Sequence, residues 1–506
     1  MTTEHFDILI IGAGLSGIGA AWHFQDKCPT KSYAILEARD SIGGTWDIHR
    51  YPGVRSDSEM YTYAYSFKPW TGTKVIADGE EILEYIRETA RENGIDQHIR
   101  FGTKVLKADW SDKTNTWTVT AERQVEGKAK KTTFTCNFLL SCAGYYSYEG
   151  GYVPEFKGRE DFKGPVVHPQ EWPEDLDYTG KNVVIIGSGA TAVTLLPAMA
   201  EKAKHVTMLQ RSPTYMASIP KNDYISDALR LVLPDMLVHR LGRARGVALQ
   251  RGVFRLSQSA PQLTSKILRG LVKRQVGKNV DMKHFTPSYN PWDERLCAVP
   301  NGDLFKAVRK GHASIVTNHI DRFTEKGILL QNGEELEADI IVTATGFNIQ
   351  LLGGMTLSVN QKPVKLTEGM VYKGTLFEGV PNAAMIFGYT NSSWTLKSDL
   401  SSEYICRLIN YMDQMGAVKA VPVNKDNSIQ KHSFITDGSG CTNAGYIQRA
   451  LDKMPLQGDR LPWKVHMNYL KDLPMLRYSS LNDGTMKFSL TGTLEDGQEA
   501  MVEIGA

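Results

Sequence analysis

The strongest constraint on the fold is a glycine turn that occurs twice. Residues 6–11 form a short apolar run, followed by Gly12-Ala13-Gly14-Leu15-Ser16-Gly17, a helical stretch to about residue 24, and a second strand over 32–36 that ends in Glu37. In such a unit the first glycine permits a tight turn. The second lets backbone N–H groups approach a pyrophosphate at the helix N-terminus, and the third lets helix pack on strand. Glu37 stands 20 residues past Gly17, where a carboxylate can accept hydrogen bonds from ribose hydroxyls. The pattern recurs as a strand over 183–186, the turn Gly187-Ser188-Gly189-Ala190-Thr191-Ala192, and a strand over 205–209. This copy ends in Gln210-Arg211-Ser212, and a guanidinium there can meet a 2′-phosphate that a carboxylate would repel, favouring NADP over NAD. One such turn arises by chance. Two in context, Glu-ending before Arg-ending, imply a flavin dinucleotide reduced by a nicotinamide dinucleotide.

Each unit also closes in the same way. Strand-like pieces around Val105, 117–120 and 132–136 lead to Phe138-Leu-Leu-Ser-Cys-Ala-Gly144-Tyr145. Pieces over 314–317 and 328–331, with an Asn332-Gly333 turn, lead to Ile340-Ile-Val-Thr-Ala-Thr-Gly346-Phe347. These small-residue exits read as crossovers, giving an α/β chain of two interlaced Rossmann-like domains. The expected division is a first part of the FAD domain over 1–145, the NADP domain over 146–345, and the second part of the FAD domain over 346–506. Within the middle domain, about 217–290 reads as a helical insert. It holds thirteen Lys and Arg against four Asp and no Glu, or +9, leaving −7 for the rest of a chain whose total is +2. Its mixture of aliphatics and arginines suits an anionic membrane surface, the steering of an anionic cofactor, or a solvated helical face.

At 506 residues the chain is about three times a typical domain length, and its 42% hydrophobic and 23% charged content is that of a folded globular protein. The nearly balanced charge argues against nucleic acid as the partner. Six cysteines without a C-x-x-C pair argue against a disulfide scaffold, a zinc knuckle or a dithiol redox pair, and no metal site is expected. Residues 1–7 carry no basic leader, and no run approaches the roughly 18 apolar residues of a membrane span. The expected location is cytoplasmic, with the basic insert as the route to any peripheral membrane association.

Two longer motifs narrow the chemistry. Phe162-Lys-Gly164-Pro-Val-Val-His168-Pro-Gln-Glu-Trp172-Pro173 resembles the F-x-G-x-x-x-H-x-x-x-W-P signature of type I Baeyer–Villiger monooxygenases and precedes the second glycine turn, as in that family. Gly43-Gly44-Thr45-Trp46, Tyr51-Pro52-Gly53 and Asp57 are similar to its second signature, G-G-x-W-x-x-x-x-[FY]-P-G-x-x-x-D. Related N- and S-oxidising flavin monooxygenases usually lack the terminal Trp-Pro. Residues 56–61, 168–178, 289–293 and 389–397 are similar to the ethionamide-activating branch of the family.

The resemblance implies an NADPH- and O2-dependent FAD enzyme that converts ketones to esters or lactones through a C4a-peroxyflavin, and that also oxidises sulfides or thioamides. Arg295 matches the arginine that reaches the flavin ring, where a permanent cation stabilises the peroxide anion and the ensuing tetrahedral adduct. Asp57 matches the carboxylate that pairs with it. His168 matches a histidine tied to NADP-dependent oxygenation and interdomain arrangement; a structural histidine is the competing reading. FAD contacts are implied for Gly12, Gly14, Ser16, Gly17, Glu37, Thr45, Trp46, Asp57, Tyr63 and Val105. NADP contacts are implied for Ser56 to Ser58 on the nicotinamide side, Gly187, Ser188, Gly189, Ala190 and Thr191 at the pyrophosphate, and Gln210 with Arg211 at the adenosine phosphate. Glu294 replaces the lysine that many members carry, so NADP preference leans on Arg211. Asn391, Trp394 and Lys397 are expected on the flavin's far side or in helix-start packing. The alternatives are a flavin N- or S-oxygenase with little ketone activity and a non-catalytic flavin redox sensor.

Overall fold

The computed structural model describes residues 3–125, 127–294, 296–435 and 445–490. Glu4–Ile11 is apolar at its inner end because it lies between two parallel neighbours, Tyr33–Leu36 and Lys128–Ser141, leaving Ile8, Leu9 and Ile10 no solvent face. The helix Leu15–Lys27 follows directly, so the first glycine turn occupies the strand-to-helix junction. Both ends of the chain build this sheet of eleven strands: Thr356–Val359 extends it beside Thr103–Ser111, and Ala383–Met385 pairs in parallel with Lys128–Ser141. Its two faces are covered by two separate apolar clusters.

The middle of the chain builds a second sheet, entirely parallel, in the order Ala313–Thr317, His205–Gln210, Asn182–Ile186, Ile340–Thr343 and Val166–Val167. The helix Ala190–Met199 follows its glycine turn as the first helix follows its own. The two small-residue exits meet: Tyr146–Gly151 and Phe347–Ile349 pair antiparallel as a ribbon. Both excursions between the sheets therefore run along one track.

The insert is helical, as its composition suggests, with Tyr224–Arg230, the long helix Asp235–Ser259, and Pro261–Val276. The long helix is fastened to the first unit through polar groups. Arg243 donates to the Ala64 carbonyl at 2.8 Å and pairs with buried Asp399 at 3.1 Å. His239 accepts from Trp70 N–H, so its Nε2 donates to the Tyr65 carbonyl at 3.1 Å, and burial holds its imidazole neutral with a pKa of about 4. Gly242 and Gly246 let the helix approach closely: a Cβ at Gly242 would meet the Tyr61 ring at 2.7 Å.

Burial pushes the Asp399 carboxyl up, but hydrogen bonding by His23, the Arg243 charge and the Ser66 N–H bring it below its ordinary value. Removing its charge leaves Arg243 uncompensated. Asp399→Asn should lower stability by about 3 kcal/mol. Because the folded carboxyl is lowered, the wild-type advantage should be present above the ordinary carboxylate pKa and vanish as pH falls through the folded value. Urea unfolding at several pH values checks this; a pH-independent difference would contradict it.

Candidate active site

Both glycine turns have the geometry that a close backbone approach requires. Gly12 has φ +102°, and a Cβ there would meet the Cys142 carbonyl oxygen at 2.8 Å. Gly187 has φ +136°, and a Cβ there would collide with the Ala344 carbonyl. In each unit the turn is thus pressed against that unit's own exit segment. A Cβ at Gly17 would collide with the Gly12 carbonyl, which is the helix-on-strand packing inferred from the third glycine.

The first turn opens onto a cavity of about 540 Å3. It is lined by Gly12, Gly14, Ser16, Glu37, Thr45, Trp46, Ser56, Asp57, Ser58, Tyr63, Val105 and Trp394, so most of the expected flavin-side residues converge on one hollow. Gly17 lies behind it in the helix packing. Glu37 is buried at the strand end, and its carboxylate accepts from Ala13 N–H at 2.7 Å and Arg39 N–H at 2.8 Å. Burial raises its pKa, and the two backbone donors and the Arg39 charge temper that rise. A carboxylate has about four lone-pair sites, so acceptance of ribose hydroxyls remains open to it. A glycine cradle and a fixed acid at the next strand end fit an adenine dinucleotide.

Aromatic side chains make the other wall. Trp46 donates through Nε1 to the Tyr63 hydroxyl at 2.8 Å, and burial pushes that phenol far above its ordinary pKa. Trp394 donates to Ser16 Oγ at 2.8 Å and stacks on Tyr145 with ring centroids 5.2 Å apart. Lys397 lines neither this cavity nor its neighbour; it forms a buried ion pair with Asp472 at 2.9 Å, so of the two places expected for it the structure shows the packing one. Asn391 is likewise absent from both linings. Tyr145, Tyr148, Arg39, Lys104, Gln350 and Gly353 also line the larger cavity and were not singled out in the sequence. Arg39, two residues past Glu37, was the one with a readable signal.

A smaller cavity of about 140 Å3 adjoins the first, sharing Thr45, Trp46, Ser56, Asp57 and Tyr146 with it, and reaches Ala190 and Thr191 of the second turn. Ser56 Oγ accepts from Ser58 N–H at 3.0 Å and donates to the Ser58 carbonyl at 2.8 Å, closing a tight loop around Asp57. Tyr51 hydrogen-bonds Thr191 while burial pushes its phenol up to about 12. Gly53 has φ +76°, and a Cβ there would meet Ala198 at 2.7 Å. The Gly43-to-Asp57 motif thus runs physically from the first glycine turn to the second helix.

The remaining expected residues divide. Ser188 donates to the Ser212 carbonyl at 3.2 Å, and Gly189 caps the second helix with open space where a Cβ would stand. Gln210 is buried, its amide donating to His284 O at 2.8 Å and Thr317 Oγ1 at 2.9 Å, so its side chain ties its strand to neighbouring segments. Arg211 is exposed beside Glu294, whose carboxyl burial raises and the Arg211 charge tempers. Arg295 lies outside the described residues.

His168 is buried, with both ring nitrogens engaged. Nδ1 accepts from Gln170 N–H at 3.2 Å, which makes Nε2 the donor to the Gly346 carbonyl at 3.2 Å. Its ring fills the space against Gly151, which leaves no room there for a Cβ. It staples the ribbon between the sheets.

The chain belongs to the flavin-binding monooxygenase-like family, whose model matches residues 7–448. It is 51% identical over 489 residues to the FAD-containing monooxygenase EthA of Mycobacterium tuberculosis, covering 96% of this chain and 98% of that protein. With EthA of Mycolicibacterium smegmatis the identity is 52% over the same length and coverage. Among solved structures, an oxidized steroid monooxygenase bound to NADP superposes with a TM-score of 0.77 at 22% identity, covering 96% of this chain and all of that one, which establishes the shared fold.

Gly17→Ala should yield protein without flavin absorbance, whereas Gly189→Ala, where a Cβ meets nothing within 4 Å, should keep it; equal flavin content in the two would refute the packing argument. His168→Ala should cost about 1–2 kcal/mol through its lost hydrogen bonds. Burial lowers the His168 pKa, so its folded-state contribution is present above the ordinary histidine pKa of about 6.5 and lost as pH falls below it. Activity per folded protein measured from mildly acidic to neutral pH should keep its profile in the variant; loss of the acidic limb would make His168 a proton carrier instead.

Proposed function

We propose that the protein is an NADPH- and O2-dependent FAD monooxygenase that converts ketones to esters or lactones and also oxidises sulfides or thioamides. The observation that supports this best is the continuity of the two cavities: Thr45, Trp46, Ser56 and Asp57 line both, between a Glu-ending and an Arg-ending dinucleotide unit. The names of the mycobacterial relatives supply FAD and monooxygenation, and the Trp172-Pro173 ending of the histidine motif favours the ketone-oxidising branch. Bound FAD supplies a hydride acceptor and a ring that activates oxygen, and NADPH supplies the hydride.

The protein's own contribution is positional and electrostatic. The amides of the glycine turns would hold the pyrophosphates, and Glu37 would orient a ribose. The pairs Trp46–Tyr63 and Tyr145–Trp394 both line the larger cavity and would limit water there. Asp57 places a carboxylate where the two cavities join. By the family resemblance, Arg295 would supply the fixed cation beside the flavin, where it would stabilise negative charge developing on oxygen. Arg211 would offer the 2′-phosphate a guanidinium, beside Glu294.

The test is aerobic turnover of a linear ketone and a thioether, with products identified by mass spectrometry. Ester from the ketone supports the reading; sulfoxide without ester makes the protein an S-oxygenase, and NADPH consumption yielding only hydrogen peroxide removes the oxygenase assignment. Arg295→Ala should still bind FAD and accept hydride but form no ester. Arg211→Ala should raise KM for NADPH at least about tenfold while leaving that for NADH nearly unchanged, as expected for one lost charge-assisted contact; equal effects on both would contradict the 2′-phosphate role.

A further inference from the structure

Among the described residues, seventeen large apolar side chains are exposed, and twelve of them fall between Tyr224 and Leu271, about a tenth of the chain. Leu231 is 85% exposed, Val232 77% and Leu249 67%. On the long helix Leu237, Leu241, Leu249, Val253 and Leu256 recur at helical spacing, and on the next helix Leu263, Ile267 and Leu271 recur every fourth residue. A solvated helix presents the opposite pattern. Here the long helix turns its polar groups inward, with His239, Arg243 and Gln250 bonded to the first unit, and leaves leucines outside.

Charge borders this apolar face. Arg230, Arg243 and Arg245 are neutralised by Asp227, Asp399 and Asp223, whereas Arg240, Arg255, Lys266, Lys273, Arg274 and Lys278 stand exposed. We propose that the three insert helices form a peripheral docking surface for an anionic phospholipid bilayer, lying in the interface without crossing it. Exposed leucines interleaved with Lys and Arg are the composition that seats a helix at the headgroup boundary, where apolar area and attraction to anionic lipid add. A second copy of the chain is the poorer occupant, since it would bring one insert of +9 against another. Among the described residues no helix is long and apolar enough to cross a membrane, in keeping with surface docking alone. Gln250 of the long helix also accepts from Ser392, a residue of the larger cavity's wall, so one hydrogen bond links docking surface and candidate site.

The experiment is co-sedimentation of the FAD-loaded protein with phosphatidylcholine vesicles, and with vesicles of phosphatidylcholine and phosphatidylglycerol in equal parts. Binding should be at least about tenfold tighter to the anionic vesicles and weaken with added salt, as expected when several basic residues meet the surface. The triple variant Leu231→Ser, Val232→Ser, Leu249→Ser should lose that binding while keeping its flavin content. Should it misfold, the charge reversal Lys266→Glu with Lys273→Glu, on the exposed side of the third insert helix, should abolish the anionic preference instead. Equal partition to both vesicle types, no sedimentation with either, or variants that bind as the parent does would overturn the proposal. So would a dimer, seen by equilibrium sedimentation, that the leucine variant dissociates. The readout needs no turnover, so its failure is distinguishable from failure of the oxygenase assignment.

Discussion

The close approach of backbone to backbone at two glycine turns organises this molecule. At Gly12 and Gly187 the chain adopts positive φ while a carbonyl from the unit's own exit segment, at Cys142 or Ala344, occupies the space of a side chain. Because the exit is pressed onto the turn, the parallel strands end together, and the helix that follows starts with its amides facing outward. A dinucleotide-sized hollow at the strand ends is therefore a consequence of packing as much as of binding. The Cys142 thiol sits in that packed layer, where burial alone pushes its pKa far up, so it packs as part of the wall.

Two dinucleotide units make one site only if something sets their relative position, and the two family signatures do so. The segment from Gly43 to Asp57 bridges to Gly14 at one end, packs Gly53 on the second helix, and reaches Thr191 through Tyr51. The histidine signature acts from the other side, its imidazole linking Gln170 N–H to the Gly346 carbonyl across the ribbon that carries the chain between sheets. A histidine with both nitrogens engaged and its pKa lowered by burial is better suited to holding that ribbon than to moving protons. The insert adds a third fastening, through Arg243 and Asp399, and ends by leaving its apolar side uncovered.

The nucleotide units were legible in the sequence because their determinants are local. A strand, a glycine turn, a helix and a terminal acid or arginine occupy fewer than forty consecutive residues, and steric limits on φ leave such a pattern few other conformations. The helical, basic nature of the insert was legible too, since charge and helical content are local sums. Its inverted amphipathicity was not, because which face is covered depends on a neighbour distant in the chain.

What the tertiary structure alone decided is how distant segments share a wall. Gln350, Gly353 and Ser392 join Gly12 and Val105 around one cavity, and Lys397, three residues from Trp394, turns away to a buried Asp472. Gln210, next to the expected phosphate-binding arginine, is drawn into bonds with His284 and Thr317. Sequence by itself determined the backbone turns, since a missing Cβ acts on its own residue. The direction of a side chain on a helix or strand end is set by partners far along the chain, 75 residues for Lys397 and 74 and 107 for Gln210, and only folding brings those partners within hydrogen-bonding reach.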